Sequence, residues 1–153
     1  MHEPLTKWFC DKCGEVIEKI DAGHVIWKRD DDQREYAFRI VHRDCDDHAH
    51  FRFWEPLKDF LGPDGSSYLL SFVSLGPFLT WPGFASTPGP ANNDQFVDLF
   101  RRVQLPYYEE ARKYFSHEEM AERMAGENEI SPYRVESLRE LIAEFESDVE
   151  LDN

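Results

Sequence analysis

Four things are scarce or missing in this chain. Long apolar runs are absent: no stretch approaches the roughly 18 apolar residues of a membrane-spanning helix. The opening residues, MHEPLTKW, lack the basic-then-apolar order of a secretion signal. Cysteine is rare, with three residues in 153, an odd number that cannot pair off into a disulfide framework. These three features predict a soluble, cytoplasmic protein. The fourth scarcity is positive charge, since 17 Lys and Arg face 31 Asp and Glu, for a formal net charge of −14. Residues 107–153 hold 14 of the acids against five bases. Such a field repels nucleic acid and anionic membrane, and favours basic partners or plain solubility.

Catalytic signatures are also missing. The chain has no GxSxG, no P-loop and no GxGxxG leading into a helix. His24, His48, His50 and His117 are acid–base candidates, but nothing in the sequence sets any of them beside a nucleophile. The pairs Glu109–Glu110 and Glu118–Glu119 point to different sides of a helix and read as surface charge. The expectation is a protein that is not an enzyme.

What is present is enough for a folded core, at 41% hydrophobic and 14% aromatic residues. Residues 1–50 read as a zinc-binding β-hairpin module. GHVIWKR and EYAFRIVH are strand-like, rich in Val, Ile and aromatics, and are joined by the turn DDDQ. Alternation puts Tyr36, Phe38, Ile40 and His42 on one face of the second strand. Residues 51–93 read as an apolar helix-and-loop connector packed on the core. EPLKDFLG is expected to be a short helix, and SSYLLSFVSLG a second one or a strand. The proline- and glycine-rich loop at 76–93 carries Trp81 and Phe84, either as anchors for a partner or as a lid folded back on the core.

Residues 94–153 read as helical. DQFVDLFRRVQL has a cap at Asn92, Asn93 or Asp94 and a stripe of Phe96, Val97, Phe100 and Val103. PYYEEARKYF begins at a proline, and SHEEMAERMAG opens with a capping box and ends at Gly126. SPYRVESLRELIAEFES has a stripe of Val135, Leu138, Leu141, Ile142 and Phe145, and the residues after it are expected to fray. The last two helices read as a packing hairpin rather than a DNA reader, because glutamates outnumber Arg134 and Arg139 on the second. The fold class expected is α+β, with an N-terminal zinc module followed by a mostly helical part.

The chemistry concentrates at Cys10, Cys13, His42 and Cys45. Two thiolates in CDKCG and a thiolate–imidazole pair in HRDC make a four-donor set that suits tetrahedral zinc. His48 competes with His42 for the fourth place, and metal-free buried thiols are the other alternative. Four protein ligands leave no position for water, so one structural Zn2+ is expected rather than a catalytic one. The CxxC…HxxC order resembles a treble-clef zinc finger and the first zinc site of a LIM domain, over about 40 residues. No cysteine remains for a second LIM site. The resemblance implies a metal-clamped hairpin and, by analogy, binding to another protein. The expected function is a non-enzymatic, zinc-stabilised interaction or regulatory module. The alternatives are a DNA-associated regulator, using a basic cluster at Arg101, Arg102, Arg112 and Lys113, or an acidic mimic of nucleic acid.

Overall fold

The computed structural model describes residues 3–76, 87–118, 120 and 131–151. The chain divides into two compact units: Thr6–Gln104, and Leu105–Asn153 with Met1–Leu5. The architecture is α+β, with antiparallel strands in the N-terminal part and helices following. The loop anchors Trp81 and Phe84 lie outside the described residues, as does most of the SHEEMAERMAG helix.

In the first unit, β1 (Trp8–Phe9) and β2 (Val16–Ile17) form a short hairpin, with Trp8 opposite Ile17 and Phe9 opposite Val16. A separate three-stranded sheet has the order β4–β3–β5, from β3 (Gly23–Arg29), β4 (Glu35–His42) and β5 (Phe53–Pro56). The DDDQ turn forms because the Asp30 carboxylate accepts the backbone N–H groups of Asp32 and Arg34, both at 2.9 Å. A bulge between Ile26 and Lys28 places Ala37 and Phe38 opposite Trp27, and Ala37 sits at φ 56°. The strict alternation expected from Tyr36 to His42 is therefore interrupted, and Ala37 gives its N–H to Gln95 Oε1 at 2.8 Å instead of to a strand.

The central segment differs from its sequence reading. Phe53–Pro56 is a strand that pairs along His24–Trp27, so the first two residues of EPLKDFLG are extended, and the short helix expected there is the 3₁₀ helix Leu57–Phe60. The helix α1 runs Gly62–Ser71, starting earlier than SSYLLSFVSLG suggests, because Pro63 is preorganised for a first helical turn. Trp27 anchors the core at only 4% exposure. Phe60 and Phe72 meet it edge-on, at 6.3 and 5.4 Å between ring centres, and Phe53 stacks at 6.2 Å. Such pairs add about 1 kcal/mol each beyond the area they bury.

Helix α2 (Asn93–Gln104) is capped by Asn92, whose side-chain oxygen accepts the Gln95 N–H at 3.1 Å. Its buried residues are Phe96, Leu99, Arg102 and Val103, while Val97 is exposed. The stripe is rotated from the expected one because Arg102 is drawn inward by an ion pair with Asp11.

The second unit contains α3 (Tyr108–Arg112), a 3₁₀ turn at Ser131–Tyr133 and α4 (Val135–Leu151). Leu138, Leu141, Ile142 and Phe145 of α4 are buried as their spacing implies, with Phe145 stacked on Tyr114 at 4.6 Å. Val135 stays exposed. The helix continues to Leu151 through residues expected to fray. Glu109 and Glu110 are buried rather than on the surface. Both lie in the first turn of α3, where the helix dipole favours carboxylates.

Gly65, on the second turn of α1, packs directly on the backbone of Phe60, and a Cβ there would run into the Phe60 carbonyl group. Gly65→Ala is therefore expected to destabilise the first unit by about 2 kcal/mol, despite alanine's better helix propensity. Chemical denaturation checks this, and an unchanged or raised midpoint would show that α1 and the 3₁₀ turn can separate freely.

Candidate metal centre

The β1–β2 hairpin presents the first ligand pair. Cys10 follows β1 directly, and the loop to Gly14 turns back on itself: Gly14 donates to Cys10 O and Cys10 donates to Glu15 O, both at 2.9 Å. Gly14 takes φ 77°, a conformation glycine adopts without strain. The knuckle is laced to β4 through Asp11. Its N–H donates to Ile40 O at 2.8 Å, and its Oδ2 accepts the Ile40 N–H at 2.8 Å. The second pair comes from the far end of β4, where His42 ends the strand and Cys45 closes the 3₁₀ turn Arg43–Cys45.

Cys10, Cys13, His42 and Cys45 bring their ligand atoms within 4.8 Å of one another. The edge of a tetrahedron with thiolate–zinc bonds is about 3.8 Å, so these donors need only a small contraction to enclose one ion. The group can hold a single metal ion.

Histidine orientation supports this. His42 Nε2 lies 3.1 Å from the Val16 carbonyl, which can only accept, so Nε2 carries the proton. Nδ1 is then a bare lone pair, and it sits 3.4 Å from Cys13 Sγ, facing the thiols. Ligating imidazoles are usually held this way, with the second nitrogen fixed by a carbonyl or carboxylate. His42 is thus the histidine brought to the three cysteines. His48 lies elsewhere, with Nδ1 3.5 Å from Asp46 Oδ1.

The thiols are electrostatically unequal. Burial pushes Cys10 up, but the backbone N–H groups of Cys13, His42 and Lys12, with the His42 side chain, outweigh it and lower the thiol from 9.0 to about 6. Burial and the neighbouring Cys10 and Cys13 sulfurs push Cys45 the other way, to about 11. The Cys10 thiolate raises His42 above the ordinary imidazole value, against the effect of burial. Three thiols and an imidazole crowded together thus hold one proton-free sulfur ready, and a divalent cation would relieve the repulsion among the rest.

The other candidates are engaged separately. His24 Nδ1 contacts Asp46 Oδ2 at 2.9 Å, and its ring stacks on the exposed Trp54 at 4.4 Å. His50 pairs with Asp47 at 2.8 Å, which lowers the Asp47 carboxyl below its usual range. His117 packs edge-on against both rings of the stacked Tyr114–Phe145 pair. Arg102, counted from sequence in a basic cluster, is only 2% exposed. Its Nη1 meets Asp11 Oδ2 at 2.6 Å and its Nη2 donates to Phe9 O at 3.1 Å. Asp11, Val16 and Arg102 support the ligand pairs, yet only the position of Asp11 inside the CxxC motif hinted at such a role.

Comparison with protein-family models, curated proteins and solved structures finds no match for the chain.

Two outcomes check the centre. His42→Ala is expected to abolish stoichiometric metal uptake while His48→Ala keeps it, as read by metal analysis of the purified variants. In metal-free protein, thiolate ultraviolet absorbance should show one cysteine titrating near pH 6, a step missing in Cys10→Ser. The depressed Cys10 value stabilises the metal-free fold above pH 9, and that stability is lost as pH falls through about 6.

Proposed function

We propose that Cys10, Cys13, His42 and Cys45 bind one structural Zn2+, and that the chain works as a non-enzymatic, acidic protein-interaction or regulatory module. The observation that carries the metal reading is the convergence of the four ligand atoms within 4.8 Å, with the His42 tautomer set to leave Nδ1 free. Three soft thiolates and one imidazole favour zinc over the harder cations. The set is complete without water, so the ion has no vacant position for a substrate. Its role is to join the knuckle to the end of β4. A site of this type contributes on the order of 10 kcal/mol to a small module.

The interaction reading rests on charge. At −14, the chain attracts basic surfaces and repels phosphate backbones. A DNA-binding alternative is weakened by the burial of Arg102, which removes a cation from the cluster proposed for it. Among the described residues, no helix is long and apolar enough to cross a membrane.

Protein purified from its native cells should carry one equivalent of zinc. Chelation should lower its melting temperature, and a basic protein should co-purify with it at low salt and be released at high salt. A gel shift with duplex DNA at low salt would replace the interaction reading with the DNA-binding one. Substrate turnover abolished by a substitution that spares the fold would replace it with an enzyme.

A further inference from the structure

One face of the three-stranded sheet gathers positive charge in an otherwise acidic chain. The strand register sets Arg39, Ile26 and Trp54 directly opposite one another across β4, β3 and β5. Their side chains therefore leave the sheet on the same side, away from the Trp27 and Phe53 side. Ile26 is buried in this row, and so is Phe51, which carries two cations on its ring. Lys28 Nζ lies 4.8 Å from the ring centre and the Arg39 guanidinium 4.9 Å from it. No more than the sum of those distances separates the two charges, and the ring attracts both through its negative face.

Neither charge is cancelled. The chain has 31 acids for 17 bases, and Arg29 and Arg102 each hold a carboxylate. Among the described residues, Lys28 and Arg39 form no ion pair. Arg39 is exposed and Lys28 half-buried, so both can meet an incoming group. In the same row Trp54 stays 44% exposed, although His24 stacks on its ring at 4.4 Å. A tryptophan beside an arginine is the composition of a recognition hot spot. Two strand spacings put the Arg39 and Trp54 backbones about 10 Å apart, the reach of about three extended residues. The cationic area is also short. Asp31 and Asp32 are exposed at the hairpin turn beyond Lys28, and Asp44 is exposed past the other end of β4. A long polyanion such as a nucleic-acid strand would meet acids at both ends.

We propose that this face docks a short, extended, acidic segment of another protein. Its carboxylates sit against Lys28 and Arg39, and an aromatic or long aliphatic side chain about three residues along packs on Trp54. The surface uses none of the four metal ligands. It is separate from the attraction of the whole chain for basic partners, because it takes the opposite charge at one place.

The test titrates ¹⁵N-labelled full-length protein with the capped peptide EEGSY and follows the Trp54 indole N–H resonance, assigned by its loss in Trp54→Phe. The comparison probes are the capped peptides QQGSY and KKGSY and a single-stranded oligouridylate of the same length. EEGSY should shift the resonance saturably, with a dissociation constant in the roughly ten-micromolar-to-millimolar range. QQGSY and KKGSY should bind at least about fivefold more weakly. A Lys28→Gln, Arg39→Gln double variant should weaken EEGSY binding by about the same factor, since glutamine keeps part of each stem over Phe51 but removes the charge. Arg39→Gln alone, at an exposed position, should act in the same direction if the double variant disturbs the packing on Phe51. Trp54→Ala, followed at the Arg39 amide, should weaken binding about tenfold. Absence of any shift with EEGSY would overturn the proposal. So would QQGSY or KKGSY binding as tightly as EEGSY, or affinity indifferent to the charge variants and to Trp54→Ala. Oligouridylate binding more tightly than EEGSY would overturn it in favour of nucleic acid.

Discussion

The ion pair between the buried Arg102 and the more exposed Asp11 joins three parts of the first unit at one point. Asp11 Oδ2 accepts at once from Arg102 on α2 and from the Ile40 N–H on β4, and Asp11 itself belongs to the CxxC knuckle. Arg102 also donates to Phe9 O, and its own carbonyl accepts the Trp8 indole N–H at 3.0 Å. Such a pair is seldom a large net source of stability, because the buried guanidinium loses its water. What this one provides is placement. With α2 and β4 both tied to Asp11, the loop bearing Cys10 and Cys13 has one orientation relative to the strand that ends in His42.

The candidate metal ligands and the ion pair meet at the same junction. An ion held by the three cysteines and His42 would close the knuckle onto the end of β4. The Asp11–Arg102 pair closes it onto α2. Neither hairpin has a large core of its own: β1 and β2 are two residues each, and the sheet has three strands. Long-range polar clamps compensate for limited apolar burial in elements this short. The result is an acidic unit whose chemically distinctive residues are mostly spent on architecture.

Local features were legible in the sequence. CDKC and HRDC declare a four-donor set, the Val- and Ile-rich runs declare β3 and β4, and the spacing of Leu138, Leu141, Ile142 and Phe145 declares a helix face. Features made by contacts between distant residues were not. FWEP is too short to advertise a strand and becomes one only because β3 offers an edge. Val97 and Leu99 cannot be ranked for burial until Asp11, 91 residues away from Arg102, turns the helix. Glu109 and Glu110 look like solvated charge in a helix of unknown neighbours, and only the packing of the second unit puts them inside. The metal centre stood out because its chemistry demands rare residue types.

The four ligands are not equally sheltered: Cys10 is buried, Cys45 is half-buried and Cys13 is exposed. Thermodynamic grip and kinetic access are separate properties in such a site. A metal seated there would be held by all four donors, yet an incoming thiol or chelator would find the Cys13 side the most open, with Cys45 and His42 half-buried beside it. Exchange would then proceed by stepwise handover from that corner, while Cys10 at the inner corner let go last. The rate at which such a clamp is loaded or stripped would follow the exposure of its outer donors rather than the affinity of the whole set.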